Sequence, residues 1–462
     1  GAIFINTQNG DFEVVQSENI IFAAGGPGGL YETSVYPKVH TGGIGLAIAA
    51  GAECCNLAES QYGLASIKFR WNVSGSYMQV LPRFVSTDEA GQDEREFLRE
   101  YFDTPQAMYD AVFLKGYQWP FAAGHVPGSS LIDIFTYIET VERGRKVYLD
   151  YRCDPADLDF NKLSPETREY LERSNAIADT PLKRLQILNQ PAIDLYARYG
   201  IKLETDMLEI AVCAQHNNGG LAGNIWWEST SLKHLFPIGE VNGSHGVTRP
   251  GGSALNAGQV GAFRAAEYIA ARCQQDTVDE TQFDTAASAA LNELAEMSAK
   301  PADTNWQEER QKFQHRMSEA GAFIREKTTV AKALEDAAVQ FDRLRQQGIG
   351  GLSLRDRVES LRNIPLCLAH TLYLEAVQHQ ISAIGSRGGS LVLSPDGEII
   401  SAKLNGKWKR MPENREFRKK MVYCSIRDGK TVFSTEDCRP IPETDGWFEN
   451  IWHDCRNGKI YD

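Results

Sequence analysis

The residues best suited to ligand chemistry lie between positions 213 and 270. A short apolar strand at 235–238 runs into Gly239-Glu240 and then into a loop dense in glycine, asparagine, serine and histidine. A helix of small residues follows over 253–270. Glycines let a ligand approach the backbone closely, and a helix N-terminus offers free N–H groups to an anion. This order predicts a cradle for an anionic or polar cofactor, with a purely structural glycine loop as the alternative.

The elements that position this loop indicate a mixed α/β chain. Asn9-Gly10 between two short apolar runs predicts a hairpin. Residues 20–24 predict a buried strand that leads into the glycine-rich turn 25–29. Residues 42–52 predict a glycine turn followed by an apolar helix.

Shifts in composition predict five segments. The first and third share a glycine-rich α/β style, the second is more charged and has the character of an insertion, the fourth is helical, and the fifth consists of short strands and turns. The segments are 1–75, 76–205, 206–275, 276–384 and 385–462.

The composition excludes several classes of protein. The 462 residues are 42% hydrophobic and 24% charged, as in an ordinary globular chain of two or three domains. No apolar run reaches the roughly 18 residues that a membrane-spanning helix needs. The net charge of −13 disfavours broad nucleic-acid binding. Nine cysteines without a Cys-x-x-Cys pair predict no metal site and favour a reducing, cytoplasmic compartment.

Three segments resemble the flavoprotein family of succinate dehydrogenase and fumarate reductase, which includes L-aspartate oxidase and adenylylsulfate reductase. They are residues 20–31 (IIFAAGGPGGLY), residues 235–270, and residues 386–389 (SRGG), in the family's order. Within the second segment, His245-Gly246 and Arg249 align with the family's motif. The resemblance implies an α/β fold, with an incomplete Rossmann-like FAD-binding domain, an inserted capping domain and a C-terminal helical domain.

The resemblance also implies roles for single residues, with FAD as the cofactor. Arg249 would bind a substrate carboxylate, for which the planar guanidinium is well shaped. His245 would lie beside the flavin or the substrate, and His216 is the second candidate for proton transfer. Glu240 would bind the ribityl or ribose part of FAD. The implied cofactor-binding residues are Gly25, Gly26, Gly239, Glu240, Gly251, Ser253, Ala254 and Leu255.

The sequence departs from the family at several points. The dinucleotide fingerprint Gly-x-Gly-x-x-Gly is absent from the chain. The family's Gln-Phe-His-Pro-Thr appears as residues 61–65 (QYGLA), without the histidine and threonine. The family's Ser-Arg-Asp appears as residues 129–131 (SSL), without the proton-donating arginine. These losses predict that the substrate is not simply succinate or fumarate.

These observations lead to a functional hypothesis. We expect an FAD-dependent oxidoreductase that acts on a small organic molecule, with a further protein as a possible electron-transfer partner. Because the chain enters strand-like sequence at once, we expect a separate N-terminal fragment or subunit to supply Gly-x-Gly-x-x-Gly. Two alternatives stay open, an enzyme resembling adenylylsulfate reductase and a flavin-free scaffold subunit of a redox complex.

Overall fold

A computed structural model describes residues 1–155, 157–273, 279–440, 443 and 445–461. Helices and strands are mixed along the chain, which confirms the α/β class. The strands are β1 (Ala2–Ile5), β2 (Phe12–Val15), β3 (Ile20–Phe22), β4 (Cys54–Cys55), β5 (Ser60–Ser66), β6 (Trp71–Asn72), β7 (Arg83–Thr87), β8 (Lys146–Asp150), β9 (Leu208–Asn217), β10 (Gly220–Leu221), β11 (Leu235–Pro237), β12 (Ile324–Glu326), β13 (Leu391–Ile399), β14 (Lys409–Arg410), β15 (Lys420–Arg427) and β16 (Lys430–Asp437).

The longest of the helices, at Leu354–Ala383, has 30 residues and lies in the second half of the chain. Several begin at a residue whose side chain accepts a hydrogen bond from the first turn, as Ser164 does from the N–H of Thr167. They are α1 (Ile44–Ala49), α2 (Ser76–Gln79), α3 (Pro105–Lys115), α4 (Leu131–Tyr137), α5 (Pro165–Arg173), α6 (Pro181–Arg198), α7 (Ser253–Arg272), α8 (Glu280–Ala299), α9 (Trp306–Ala320), α10 (Lys327–Gln346), α11 (Leu354–Ala383) and α12 (Trp447–Arg456).

The largest sheet has the strand order β6-β5-β9-β8-β7, with β9 in the centre. It takes strands from the first, second and third predicted segments, so its hydrogen bonds cross the boundaries expected near 75 and 205. The division into five segments therefore stays a prediction. One large hydrophobic core joins this sheet to the helices α9, α10 and α11.

A second, thinner layer carries the glycine loops. Strands β3 and β11 pair in parallel, and within the described residues they pair only with each other. Phe236, Ile238 and Ala265 form a small buried cluster between β11 and α7. Ile20 and Phe22 of β3 pack against the large core, whereas Ile21 is 56% exposed.

The C-terminal segment contains the hairpin β15–β16, which continues a sheet with β4 and β10. It also contains α12, although the sequence predicted only strands and turns here. None of the described helices is long and apolar enough to cross a membrane.

Candidate functional site

The candidate site lies where the end of β9 meets the loop that follows β11. In the ladder between β5 and β9, Gln61 is directly opposite His216, and the register shifts at the next pair so that Gln215 is the extra residue. Such a β-bulge redirects side chains and often lies beside a functional site. Gln215 turns back to donate to the carbonyl of Gly63 (2.9 Å), while Gln61 and His216 face the loop.

Two histidines predicted from sequence come together here. The ring centroids of His216 and His245 are 4.8 Å apart in an edge-to-face arrangement. Each residue is only 8% exposed. Burial and the charge of Arg249 lower the pKa of His216 to about 3, and the same two causes lower the pKa of His245. Both imidazoles are therefore neutral at physiological pH.

The histidine ring nitrogens are short of partners. Nδ1 of His216 contacts Oδ1 of Asn218 at 3.3 Å. Nε2 of His216 and both ring nitrogens of His245 make no well-formed hydrogen bond with any described residue, although the backbone of Asn217 lies close enough to His245 to raise its pKa slightly. Buried polar atoms without partners are costly in a folded protein. These atoms therefore indicate a position for a ligand.

Glu240 lies beside His216, at the start of the loop. Its carboxylate accepts hydrogen bonds from the backbone N–H of Asn217 (2.8 Å) and from the hydroxyl of Tyr36. Its Oε1 is 3.8 Å from Nε2 of His216. Burial raises the pKa of Glu240 to about 7, against the opposing effect of backbone hydrogen bonds and of Arg249.

Arg249 completes the site and is fixed by Gln61, the glutamine that the aligned segment 61–65 retains. Its Nε donates to Oε1 of Gln61 (3.0 Å), and Nε2 of Gln61 donates to the Arg249 carbonyl (3.1 Å). Nη1 donates to the carbonyl of Pro250 (3.0 Å). Among the described residues, no carboxylate lies within 4 Å of this guanidinium, and Nη2 has no acceptor. A fixed arginine without an acidic partner is suited to bind an anionic ligand.

The glycines of the loop differ in what surrounds them. Gly239 and Gly252 have positive φ angles of 76° and 79°, and no protein atom lies within 4 Å of the position that a Cβ would take. Gly251 also faces open space. In contrast, a Cβ on Gly25 would meet the ring of His40, and one on Gly26 would meet the carboxylate of Glu240. Gly239, Gly251 and Gly252 face open space, whereas Gly25 and Gly26 are packed against neighbouring side chains. The cofactor-binding role of all these glycines stays a prediction.

The N-terminus of α7 opens into the same cradle. Ser253 turns its hydroxyl back to the carbonyl of Pro250 (2.8 Å), while Leu255 is 82% exposed. The N–H groups of a first helical turn have no partners within the helix. The N–H groups of Ala254 and Leu255 can therefore donate to an anionic or polar group, as the resemblance implies for the cofactor. The N–H of Ser253 already donates to the carbonyl of Pro250 (3.4 Å).

These features fit the flavin end of FAD. The glycines that face open space, the N-terminus of α7 and the imidazole nitrogens short of partners all belong to residues 216–255, and Nε2 of His216 lies 3.8 Å from the Glu240 carboxylate. No group of three or more potential metal ligands occurs in the part of the chain that the structure describes.

Three further polar residues have partners of their own. Arg70 donates to the carbonyls of Tyr36 and Glu32, so it supports the loop backbone. The hydroxyl of Ser129 donates a hydrogen bond to Gln118, and the hydroxyl of Ser130 accepts one from the N–H of Ala122.

Two residues of the site were not predicted from the sequence. They are Tyr36, which donates to Glu240, and Gln61, which holds Arg249 through two hydrogen bonds. The only available signal for Gln61 was its position in the aligned segment 61–65.

In a comparison with known proteins, this chain is similar to two curated oxidoreductases. One subunit of the fumarate reductase (CoM/CoB) of Methanothermobacter marburgensis is 26% identical over 273 residues, which are 57% of this chain and 41% of that protein. The L-aspartate oxidase of Vibrio cholerae is 24% identical over 284 residues, covering 61% of this chain and 44% of that protein. No protein-family model matches the chain.

A solved structure extends the likeness to the whole fold. The FrdA chain of a mutant E. coli quinol fumarate reductase superposes with a TM-score of 0.64, at 19% identity, over 96% of this chain and 70% of that one. These findings confirm the predicted relationship to the flavoprotein family of succinate dehydrogenase and fumarate reductase. The relationship is distant, and the chain matches less than half the length of the two curated relatives.

Proposed function

We propose that this chain is part of an FAD-dependent oxidoreductase that acts on a small organic substrate. The observation that carries the proposal is the cluster of His216, His245, Glu240 and Arg249 at the mouth of the α7 cradle. Two buried imidazoles without full hydrogen bonding and an arginine without an acidic partner are difficult to explain as structural features. They are expected where a cofactor and a substrate meet.

The cradle residues would hold the cofactor. The backbone N–H groups at the start of α7 would face the polar edge of the flavin ring. The Glu240 carboxyl would accept a hydrogen bond from a hydroxyl of the sugar chain. When bound, FAD supplies two-electron hydride chemistry. Gly239 and Gly251 would allow close approach, since the space in front of both is open.

The histidines would manage the proton of the reaction. A neutral imidazole can accept a proton at one nitrogen and donate from the other. Nε2 of His216 and the ring of His245 are the free positions. Arg249 would hold an anionic group of the substrate by its free Nη2.

We further propose that a separate segment or subunit carrying Gly-x-Gly-x-x-Gly docks on the layer of β3, β11 and α7. The outer edges of both strands are unpaired within the described residues. The adjoining surface is apolar, with Ile21 56% exposed and Phe263 68% exposed. Open parallel edges beside an apolar surface favour addition of further strands. A third protein could then exchange electrons with the flavin.

The test uses the chain purified with whatever associates with it. The visible spectrum reports flavin, and intact mass spectrometry reports every polypeptide present. Flavin bands together with a polypeptide that contains the fingerprint would support the proposal. A colourless preparation of this chain alone would contradict it and would favour the flavin-free scaffold.

A further inference from the structure

The charges of five neighbouring side chains restrict the substrate that the site can accept. These residues, which we call the anion site, are Gln61, His216, Glu240, His245 and Arg249. The inference rests on the proposed function, since it assumes that the substrate meets this site. Within the group, Arg249 is the one permanent cation, and both histidines are held neutral by burial and by its charge.

Gln61 fixes the direction of that cation. It is 3% exposed, and it holds Arg249 through two reciprocal hydrogen bonds, one to the side-chain Nε and one from its own amide to the backbone carbonyl. A glutamine can do this without neutralising the guanidinium, because its oxygen accepts a hydrogen bond but carries no charge. The arginine therefore keeps a full charge and an unused donor, Nη2, for a ligand.

The opposite end of the site is unfavourable to a second anion. A ligand group beyond Arg249 meets two neutral imidazoles and the carboxyl of Glu240, whose Oε1 is 3.8 Å from Nε2 of His216. A second carboxylate placed there would lose its water without gaining a second cation, and it would be repelled by any ionised Glu240. An uncharged carbonyl, hydroxyl or amide would instead satisfy the orphaned ring nitrogens.

We propose that the substrate is a monoanion. Its single carboxylate, or an equivalent anionic group, binds Arg249, and an uncharged hydrogen-bonding group at its other end meets His216 and His245. Gln61 is a positioning residue that aims the guanidinium at this carboxylate. The site thus selects for charge number as well as for shape.

The experiment compares three ligands that have nearly the same shape and differ in charge. Succinamide carries no carboxylate, succinamate carries one and succinate carries two. Their binding to the native preparation, with its associated polypeptides, is measured by titration calorimetry at pH 7.5. We expect succinamate to bind about tenfold to a hundredfold more tightly than either other compound, because each misplaced charge or lost charged hydrogen bond costs that factor.

Two variants distinguish the role of Gln61 from a general effect of an added negative charge on the protein. Gln61→Glu has the same size but places a carboxylate on Arg249, so we expect it to lower succinamate affinity by about tenfold or more. Binding of uncharged succinamide should not change. Gln311→Glu, at an exposed position of α9, adds the same charge away from the site and should leave all three affinities as they are.

The outcomes also distinguish this inference from the proposed function. Preference for succinamate in a preparation without flavin would support the monoanion site and contradict the oxidoreductase. Succinate binding as tightly as succinamate would overturn the monoanion site, whether or not flavin is present. Failure of all three compounds to bind would overturn it as well, as would an unchanged succinamate affinity in Gln61→Glu.

Discussion

Glu240 and His216 are neighbours whose pKa values move in opposite directions from their ordinary values. The buried Glu240 carboxyl keeps its proton up to a pKa of about 7, so its contribution to stability is present below pH 4.5 and is lost as the pH rises to 7. His216, with a pKa of about 3, stays neutral in the folded state, so its contribution is lost as the pH falls below 6.5. As the pH rises from 4.5 to 6.5, Glu240 therefore lowers the stability of the fold while His216 raises it.

A variant without the Glu240 carboxyl should show the pH dependence of stability that His216 causes alone. In Glu240→Gln the carboxyl effect disappears, so the stability of the variant relative to the native chain should increase as the pH rises from 4.5 to 7. A pKa displaced from 4.5 to about 7 corresponds to about 3 kcal/mol in total. Urea unfolding at several pH values measures this difference. A stability difference that does not vary with pH would contradict the assignment of a raised pKa to Glu240.

A second pair of residues ties the C-terminal segment to the site region. Nε of Arg387 contacts Oε1 of Glu59 at 2.7 Å, and both side chains are at most 3% exposed. Removing one member of a buried ion pair leaves an uncompensated charge, so Arg387→Met should lower the free energy of unfolding by about 3–5 kcal/mol. The double variant Arg387→Met/Glu59→Gln should recover much of this loss. A loss in the double variant equal to the sum of the losses in Arg387→Met and Glu59→Gln would exclude coupling between the two side chains.

The sequence predicted which single residues belong to the site better than it predicted the hydrogen bonds between them. His216, His245 and Arg249 could be selected because they lie within 34 residues of one another in a glycine-rich stretch. The hydrogen bond between Gln61 and Arg249 could not be predicted in this way. Gln61 is 188 positions from Arg249, and the pairing of β5 with β9 brings it to the site. The unusual pKa values likewise depend on burial, which local sequence does not specify.

Among the secondary-structure elements, the contact between α1 and α11 is the most restrictive. Gly45 of α1 faces the backbone of Pro365 in α11, and a Cβ at Gly45 would lie 1.8 Å from the Pro365 carbonyl oxygen. Backbone cannot yield as a flexible side chain can. Gly45→Ala should therefore separate the helices and cost about 1–3 kcal/mol of stability, measured by thermal or urea unfolding.

The same helix provides a control. Leu46 is the next residue and is 58% exposed, so Leu46→Ala should change the free energy of unfolding by about 0.5 kcal/mol or less. If Gly45→Ala changed the free energy of unfolding as little as Leu46→Ala does, the two helices would not approach as closely as described.

Prediction of elements succeeded where a local signal was strong. Asn9-Gly10 joins β1 to β2, and the small-residue helix predicted from 253 is α7. The helix α12 was missed because its four large apolar residues, which include Trp447 and Trp452, resemble a strand or a docking segment when read without helical spacing. The bulge in β9 has no local signal, because it arises from the register with β5.

For the molecule as a whole, the open layer of β3, β11 and α7 is the surface on which the proposed assembly depends. Phe263→Asp places a charge on the proposed docking surface, where 68% of the residue is exposed in the isolated chain. The variant should fold normally but lose its associated polypeptide in size-exclusion chromatography with mass detection. Val339→Lys, at a residue of α10 that is 71% exposed, is the matched control and should retain it. Retention of the associated polypeptide by Phe263→Asp would place the docking surface elsewhere.

The central claim is that the cradle in front of α7 holds a flavin, and the ratio of flavin to polypeptide tests it most directly. Gly251→Val places a side chain in front of α7, and no atom beyond the two adjacent residues lies within 4 Å of its Cβ position. Gly406→Val adds the same side chain at an equally open glycine in another loop. Absorbance of the visible flavin band is compared with protein concentration for the native preparation and both variants. We predict flavin in the native and Gly406→Val preparations and loss of most of it in Gly251→Val. A native preparation without flavin, or full flavin content in Gly251→Val, would contradict a flavin in this cradle.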